Sequence, residues 1–163
     1  IRIQDSCEVP ADFHPRFQKT VKTYEYRILN REFPLPAYRF NSHFTYRKLD
    51  VERMRQAAAY LIGEHDFQSF CAAGAQVKTT VRTIYALDVE KQGDLIILRI
   101  TGNGFLYNMV RIIAGTLMKI GQGDWEPECI PEILAGCDRQ LAGPTAPARG
   151  LTLMEIHFKG EKG

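Results

Sequence analysis

The chain has 163 residues, of which 45% are hydrophobic and 25% charged, with a formal net charge of +2. This supports one globular domain with its own core. It contains no apolar run near the roughly 20 residues of a membrane-spanning helix, and so small a charge does not by itself point to nucleic acid. Cys7, Cys71, Cys129 and Cys137 form no CxxC pair, and the histidines are scattered. No zinc site is therefore expected, and reduced thiols in a cytoplasmic protein are. No basic-then-apolar leader opens the sequence. Its first residue is Ile1 rather than Met, so a cut start is expected.

In chain order, residues 1–20 carry Pro10 and Pro15 among polar residues and read as an opening loop. From Val21 to Leu29, Lys22, Tyr24, Tyr26 and Ile28 alternate with Thr23, Glu25, Arg27 and Leu29, the period of a strand. Residues 30–49, with Pro34 and Pro36, read as a long irregular connection. Asp50 is a good N-cap, and Val51, Met54, Ala58, Leu61 and Ile62 recur at helical spacing up to Gly63. His65 to Gln76 reads as a loop anchored by Phe67 and Phe70.

Tyr85, Leu87 and Val89 alternate with polar neighbours, a Lys91-Gln92-Gly93-Asp94 turn follows, and Leu95 to Thr101 completes a β-hairpin. Gly102-Asn103-Gly104 breaks that strand. A strongly apolar helix is predicted from about Phe105 to Ile120, ending at Gly121, and Pro127 opens a shorter one that stops at Gly136. Residues 143–150 form a Pro/Gly/Ala loop, and Met154, Ile156 and Phe158 alternate as a final strand, with 159–163 as a tail. Hairpin-connected strands with helices between them predict a single α+β domain, a two-layer sandwich of an antiparallel or mixed sheet with helices on one face.

Four features invite chemistry. The Gly102-Asn103-Gly104 turn precedes a helix, but the third glycine of a dinucleotide fingerprint falls at Tyr107 and the strand belongs to a hairpin, so a tight turn is the better reading. Arg111 lies among Val110, Ile112, Ile113 and Leu117. It either snorkels to the surface or holds a carboxylate from elsewhere, since no acidic residue lies within one turn. Tyr24 and Tyr26 share a face beside Lys22, with Arg16, Lys19, Arg27 and Arg31 nearby. This is either core packing or a basic and aromatic site for an unstacked RNA base. His14 and the adjacent His65 and Asp66 lie near no Ser or Cys nucleophile motif, so no hydrolase is expected, and a local cap explains His65-Asp66.

Five stretches, in order and spanning nearly the whole chain, resemble the TruA family of tRNA pseudouridine synthases. They are Phe13-His14-Pro15-Arg16-Phe17 followed by Lys22-Thr23-Tyr24-Glu25-Tyr26, Gly63 to Phe70, Val81-Arg82-Thr83-Ile84, Gly102 to Arg111, and Gly143 to Leu151. The resemblance implies a ferredoxin-like half of the pseudouridine synthase fold. It implies isomerisation of uridine to pseudouridine at positions 38, 39 and 40 of the tRNA anticodon stem-loop, by a cytoplasmic homodimer that uses no metal or organic cofactor and flips the uridine into a cleft. Tyr24 then stacks on the target base and assists proton removal, and Arg111 pairs with a nucleophilic aspartate. His14, Arg16, Lys22, Arg82 and Asn108 contact substrate. The family's aspartate sits in an RTDxGVHA motif ahead of the His14 segment. None of the eight aspartates, Asp5, Asp12, Asp50, Asp66, Asp88, Asp94, Asp124 and Asp138, has that context. The chain is therefore expected to lack its nucleophile and to be inert alone. A non-catalytic RNA-binding module and a homodimeric scaffold without RNA are the competing readings.

Overall fold

The computed structural model describes residues 2–3, 5–11, 13–15, 18–74 and 77–158. Strand β1 (Thr20–Asn30) carries the predicted alternation. It is followed by a short strand β2 (His43–Thr45), helix α1 (Val51–Ala59), strand β3 (Gly63–Asp66), the hairpin β4 (Val81–Gln92) and β5 (Leu95–Gly102), helices α2 (Met109–Gly121) and α3 (Cys129–Gly136), and strand β6 (Leu151–Phe158). The six strands form one sheet in the order β2-β1-β5-β4-β3, with β6 also paired to β1. Only the β1–β2 pairing is parallel, so the sheet is mixed and the fold is the α+β class the pattern predicts.

Period two decides which side chains meet the helices. Tyr26, Ile28, Ile96, Leu98 and Ile100 are fully buried and pack with Met54, Ala57 and Leu61 around α1 and Met109, Ile112, Ile113 and Leu117 of α2. Asp50 caps α1 as read, accepting hydrogen bonds from the Glu52 and Arg53 backbone N–H groups at 2.9 and 3.2 Å.

The intervening residues of β1 make a polar ladder. Glu25 is only 2% exposed, and its carboxylate accepts from Arg27 Nε at 2.6 Å and from Arg99 Nη2, across the β1–β5 pair, at 3.0 Å. Burial pushes the Glu25 carboxyl up, but the hydrogen bonds and charges of the two arginines outweigh it and hold it below the usual range.

Four boundaries differ from the sequence reading. Residues 30–49 contain β2, and the expected 65–76 loop opens on β3, which pairs with β4. Helix α1 ends before Leu61 and Ile62, which follow in a turn. Helix α2 starts at Met109 rather than Phe105 because Asn108 sits in the left-handed region, with φ 59° and ψ 9°, which an α-helix cannot include. The opening residues described, and the loop from Gly143, carry no strand.

Two expectations follow. A Cβ at Gly115 would run into the Pro144 carbonyl, a backbone group that cannot swing aside. Gly115→Ala is expected to lower unfolding free energy by about 3 kcal/mol, at the upper end for overpacking, read from urea denaturation. The Glu25 carboxyl has a lower pKa folded than unfolded, so its contribution to stability is full above its ordinary value of 4.5 and fades as the pH falls through the folded value. Urea midpoints followed through the acid range are expected to drop less steeply in Glu25→Gln than in the parent chain. Equal slopes would show that the ladder is not coupled to folding.

Candidate functional site

The site builds up at the end of the sheet where β5 stops. Gly102 ends β5 against β4. A Cβ there would lie 2.8 Å from the Thr83 carbonyl, so only glycine lets the two strands approach this closely. Asn103 then clips the turn to β4, accepting from the Thr83 backbone N–H through Oδ1 at 2.9 Å, while its Nδ2 donates to Thr83 Oγ1 at 3.3 Å. The turn delivers Phe105 edge-on to the half-buried Tyr24 ring, with centroids 5.2 Å apart and planes at 87°. Burial pushes the Tyr24 phenol above its ordinary value of 10.0, so the ring meets a partner as a neutral phenol at physiological pH.

The sheet is irregular on both sides of this level. Opposite β1, the register slips between Thr23 and Tyr24, leaving Met154 of β6 as an extra residue. Opposite β5, it slips between Ile84 and Ala86, leaving Tyr85 of β4 extra. Bulges of this kind re-aim side chains and increase local twist.

Arg111 projects from the first turn of α2 and is half-buried among fully buried Ile112 and Ile113. Its Nε donates to the Ala146 carbonyl at 2.7 Å, and the Ala146 N–H donates back to the Arg111 carbonyl at 3.1 Å. Its Nη1 donates to Asn108 Oδ1 at 2.9 Å. Thr116, one turn further, takes the Gly143 N–H at 2.9 Å and donates to the Ile112 carbonyl at 2.8 Å, which fastens the other end of the loop to α2. Tyr26, fully buried, donates its hydroxyl to the Pro147 carbonyl at 2.8 Å. Burial raises that phenol strongly, and the nearby Arg111 and Arg149 charges only partly offset the rise. The 143–147 loop thus ties α2 to β1, and Arg111 and Tyr26 reach adjacent residues of it. Among the described residues no carboxylate comes within ion-pair distance of Arg111.

The other predicted residues fall as follows. Lys22 is half-buried, two residues before Tyr24 on its strand. Arg82 is half-buried at the start of β4, donating through Nη1 to the carbonyls of Thr79 at 2.9 Å and Val81 at 2.6 Å, and it lies against the Gly104 backbone. His14 is exposed. Arg16 lies outside the described residues. Asn108 faces Arg111, so its amide oxygen is engaged within the chain. His65 and Asp66 act locally as expected, with His65 Nε2 3.0 Å from the Ile62 carbonyl and Asp66 accepting from the Gln68 N–H at 3.0 Å. Thr116 and the Ala146 and Pro147 carbonyls shape the site without having been singled out, and Asn103 was read only as part of a tight turn. The flanking glycines at 102 and 104 were the available signal for Asn103, and backbone carbonyls leave none. No helix among the described residues is long and apolar enough to cross a membrane.

Residues 57–159, which include Arg82, Asn108 and Arg111, match the family model described as tRNA pseudouridine synthase. The chain is 53% identical over 152 residues to the tRNA pseudouridine synthase A of Brevibacillus brevis, covering 93% of this chain and 62% of that protein. It is 44% identical over 158 residues to that of Acetivibrio thermocellus, covering 97% and 65%. To that of Bacillus pumilus it is 46% identical over 159 residues, covering 97% and 64%. The chain therefore spans 62–65% of the length of these relatives. With a family model matched over well over half of its residues, and that match running through the α2 arginine and the loop that holds it, the chain belongs to the tRNA pseudouridine synthase family.

Proposed function

We propose that the protein of which this sequence forms part isomerises uridine to pseudouridine in the tRNA anticodon stem-loop, as a cytoplasmic homodimer. In this reading the target uridine leaves its stack and rests on the Tyr24 ring, an interaction worth ~1–3 kcal/mol per base. Lys22, Arg82, His14 and Arg16 hold the surrounding RNA. Arg111 pairs with an aspartate supplied by residues outside this sequence. A neighbouring guanidinium keeps that carboxylate ionised, as a nucleophile requires. The aspartate attacks the nucleotide, the glycosidic C–N bond breaks, the freed uracil turns, and a C–C bond forms in its place. The uracil carbon that forms the new bond gives up its proton, the nitrogen released from the sugar takes one up, and the aspartate is freed, so nothing is added or lost overall. The raised Tyr24 phenol supports stacking more than proton abstraction, because a base must first give up its own proton.

The observation that carries this reading is the state of Arg111. Two of its donors are committed to Ala146 and Asn108, which aims the guanidinium, and no carboxylate among the described residues neutralises it. A half-buried cation held in this way is placed to receive an acid from another segment.

Tritium release from tRNA labelled at uracil C5 tests the assignment. The full-length protein is expected to release tritium, and the 163-residue chain alone is not. In the full-length protein, Arg111→Ala is expected to reduce the rate by about 10²–10³-fold, the scale of losing one preorganised electrostatic partner. Tyr24→Ala is expected to reduce it by about tenfold or more, through lost stacking. Turnover by the 163-residue chain would overturn the placement of the nucleophile. A chain that binds tRNA while the full-length protein releases no tritium would favour an RNA-binding module.

A further inference from the structure

The segment between β1 and α1 contributes a feature that the site above does not use. Phe33, Phe40 and Tyr46 are the most exposed aromatic side chains among the described residues, and Phe40 is 79% exposed. Exposed rings need a reason, since burying each would bring a large apolar gain. Around the same segment, Leu29, Pro34, Leu35, Tyr38 and Phe44 line a mostly apolar cleft of ≈ 330 Å³, within the range of small-molecule pockets. Two arginines stand on its wall, Arg39 and Arg149.

Neither arginine has a carboxylate within ion-pair distance among the described residues. Arg39 makes one long hydrogen bond, Nη1 to the Pro36 carbonyl at 3.4 Å, and its guanidinium lies over the Phe40 ring, 4.4 Å from the centroid. Arg149 is exposed. Its charge, with burial as the larger cause, holds the His43 imidazole below its ordinary value, so no protonated histidine adds to the pair at neutral pH. The cleft is continuous with the site through the chain itself. Arg149 lies on the same loop, three residues beyond Ala146, the residue that grips Arg111, and two beyond Pro147, whose carbonyl receives the Tyr26 hydroxyl.

Two guanidiniums with no carboxylate partner among the described residues, set above apolar walls and beside an exposed ring, fit a partner with an anionic group next to a flat apolar one. A nucleotide has that form, its phosphate accepting from arginine and its base stacking on an aromatic face or a guanidinium plane. We propose that this cleft is a second RNA-contact surface, holding an unpaired nucleotide of the substrate tRNA with its phosphate between Arg39 and Arg149 and its base against the apolar wall and Phe40. The proposal rests on the reading of the protein as a tRNA-modifying enzyme and adds a contact beyond the target uridine. RNA is favoured over a docked acidic peptide because the loop that carries Arg149 also holds Arg111, so one bound strand can meet both.

The test uses the full-length protein and unmodified tRNA, with affinity measured over a salt series. All three positions are exposed, so Arg39→Ala, Arg149→Ala and Phe40→Ala leave the core intact. Each arginine variant is expected to weaken binding and to reduce the slope of log affinity against log salt by about one. Phe40→Ala is expected to weaken binding about tenfold at fixed salt with little change in slope. Unchanged affinity and slope in all three variants overturns the proposal. So does a change in the protein's sedimentation with tRNA affinity retained, since that outcome gives the cleft to a protein partner. Tyr24→Ala, assayed alongside for tritium release, separates the two failures. Normal turnover in that variant sinks the assigned reaction, whereas lost turnover with unaltered binding by the other three sinks the cleft alone.

Discussion

Strand β1 has hydrogen-bonded neighbours on both edges along nearly its whole length, β5 on one side and β6 then β2 on the other. A strand held this way cannot slide, because a shift of one residue would exchange its two faces. It would carry Tyr26 and Ile28 out of the core and drive the Glu25 carboxylate into it. The apolar cost on one face and the charge cost on the other point the same way. Tyr24 inherits its position from that constraint, and so does the Tyr26 hydroxyl that anchors the 143–147 loop.

The loop in turn determines where Arg111 points. Helix α2 is buried on almost every side, and an arginine in such a helix would ordinarily bend toward water. Here the Ala146 carbonyl captures Nε, and Asn108 captures Nη1 from within the same turn. Asn108 occupies a left-handed conformation to do so. Asparagine is among the few residues other than glycine that adopt it readily, and its side chain supplies the oxygen that a glycine would lack. Local backbone strain and the aim of a charged group are thereby combined in one residue.

Much of this was legible in the sequence, for reasons that can be named. The β1 alternation, the Asp50 cap and the β4–β5 hairpin are local signals, each written within about a dozen residues. β2 and β3 were missed because three or four residues do not display a period, and both owe their form to a neighbouring strand rather than to their own side chains. The start of α2 was misjudged because Phe105 and Leu106 continue the apolar pattern, while the backbone departs from helix at Asn108. The importance of Arg111 was visible as a charge in an apolar run. Its actual partners were not, since one of the two groups its side chain donates to is the Ala146 backbone carbonyl, which signals nothing in a one-dimensional reading. Asn108, expected as a substrate contact, also turns its amide oxygen to Arg111, which no local pattern indicates.

The two register slips near Tyr24 bear on where the chain can change length. Elsewhere in the sheet, dropping one residue would turn every following side chain inside out. At Met154 and Tyr85 the register already skips a residue of the ladder, so its loss would restore regular register and leave the flanking faces as they were. These two positions are where this sheet can lose one residue without relearning which side of each strand is the inside.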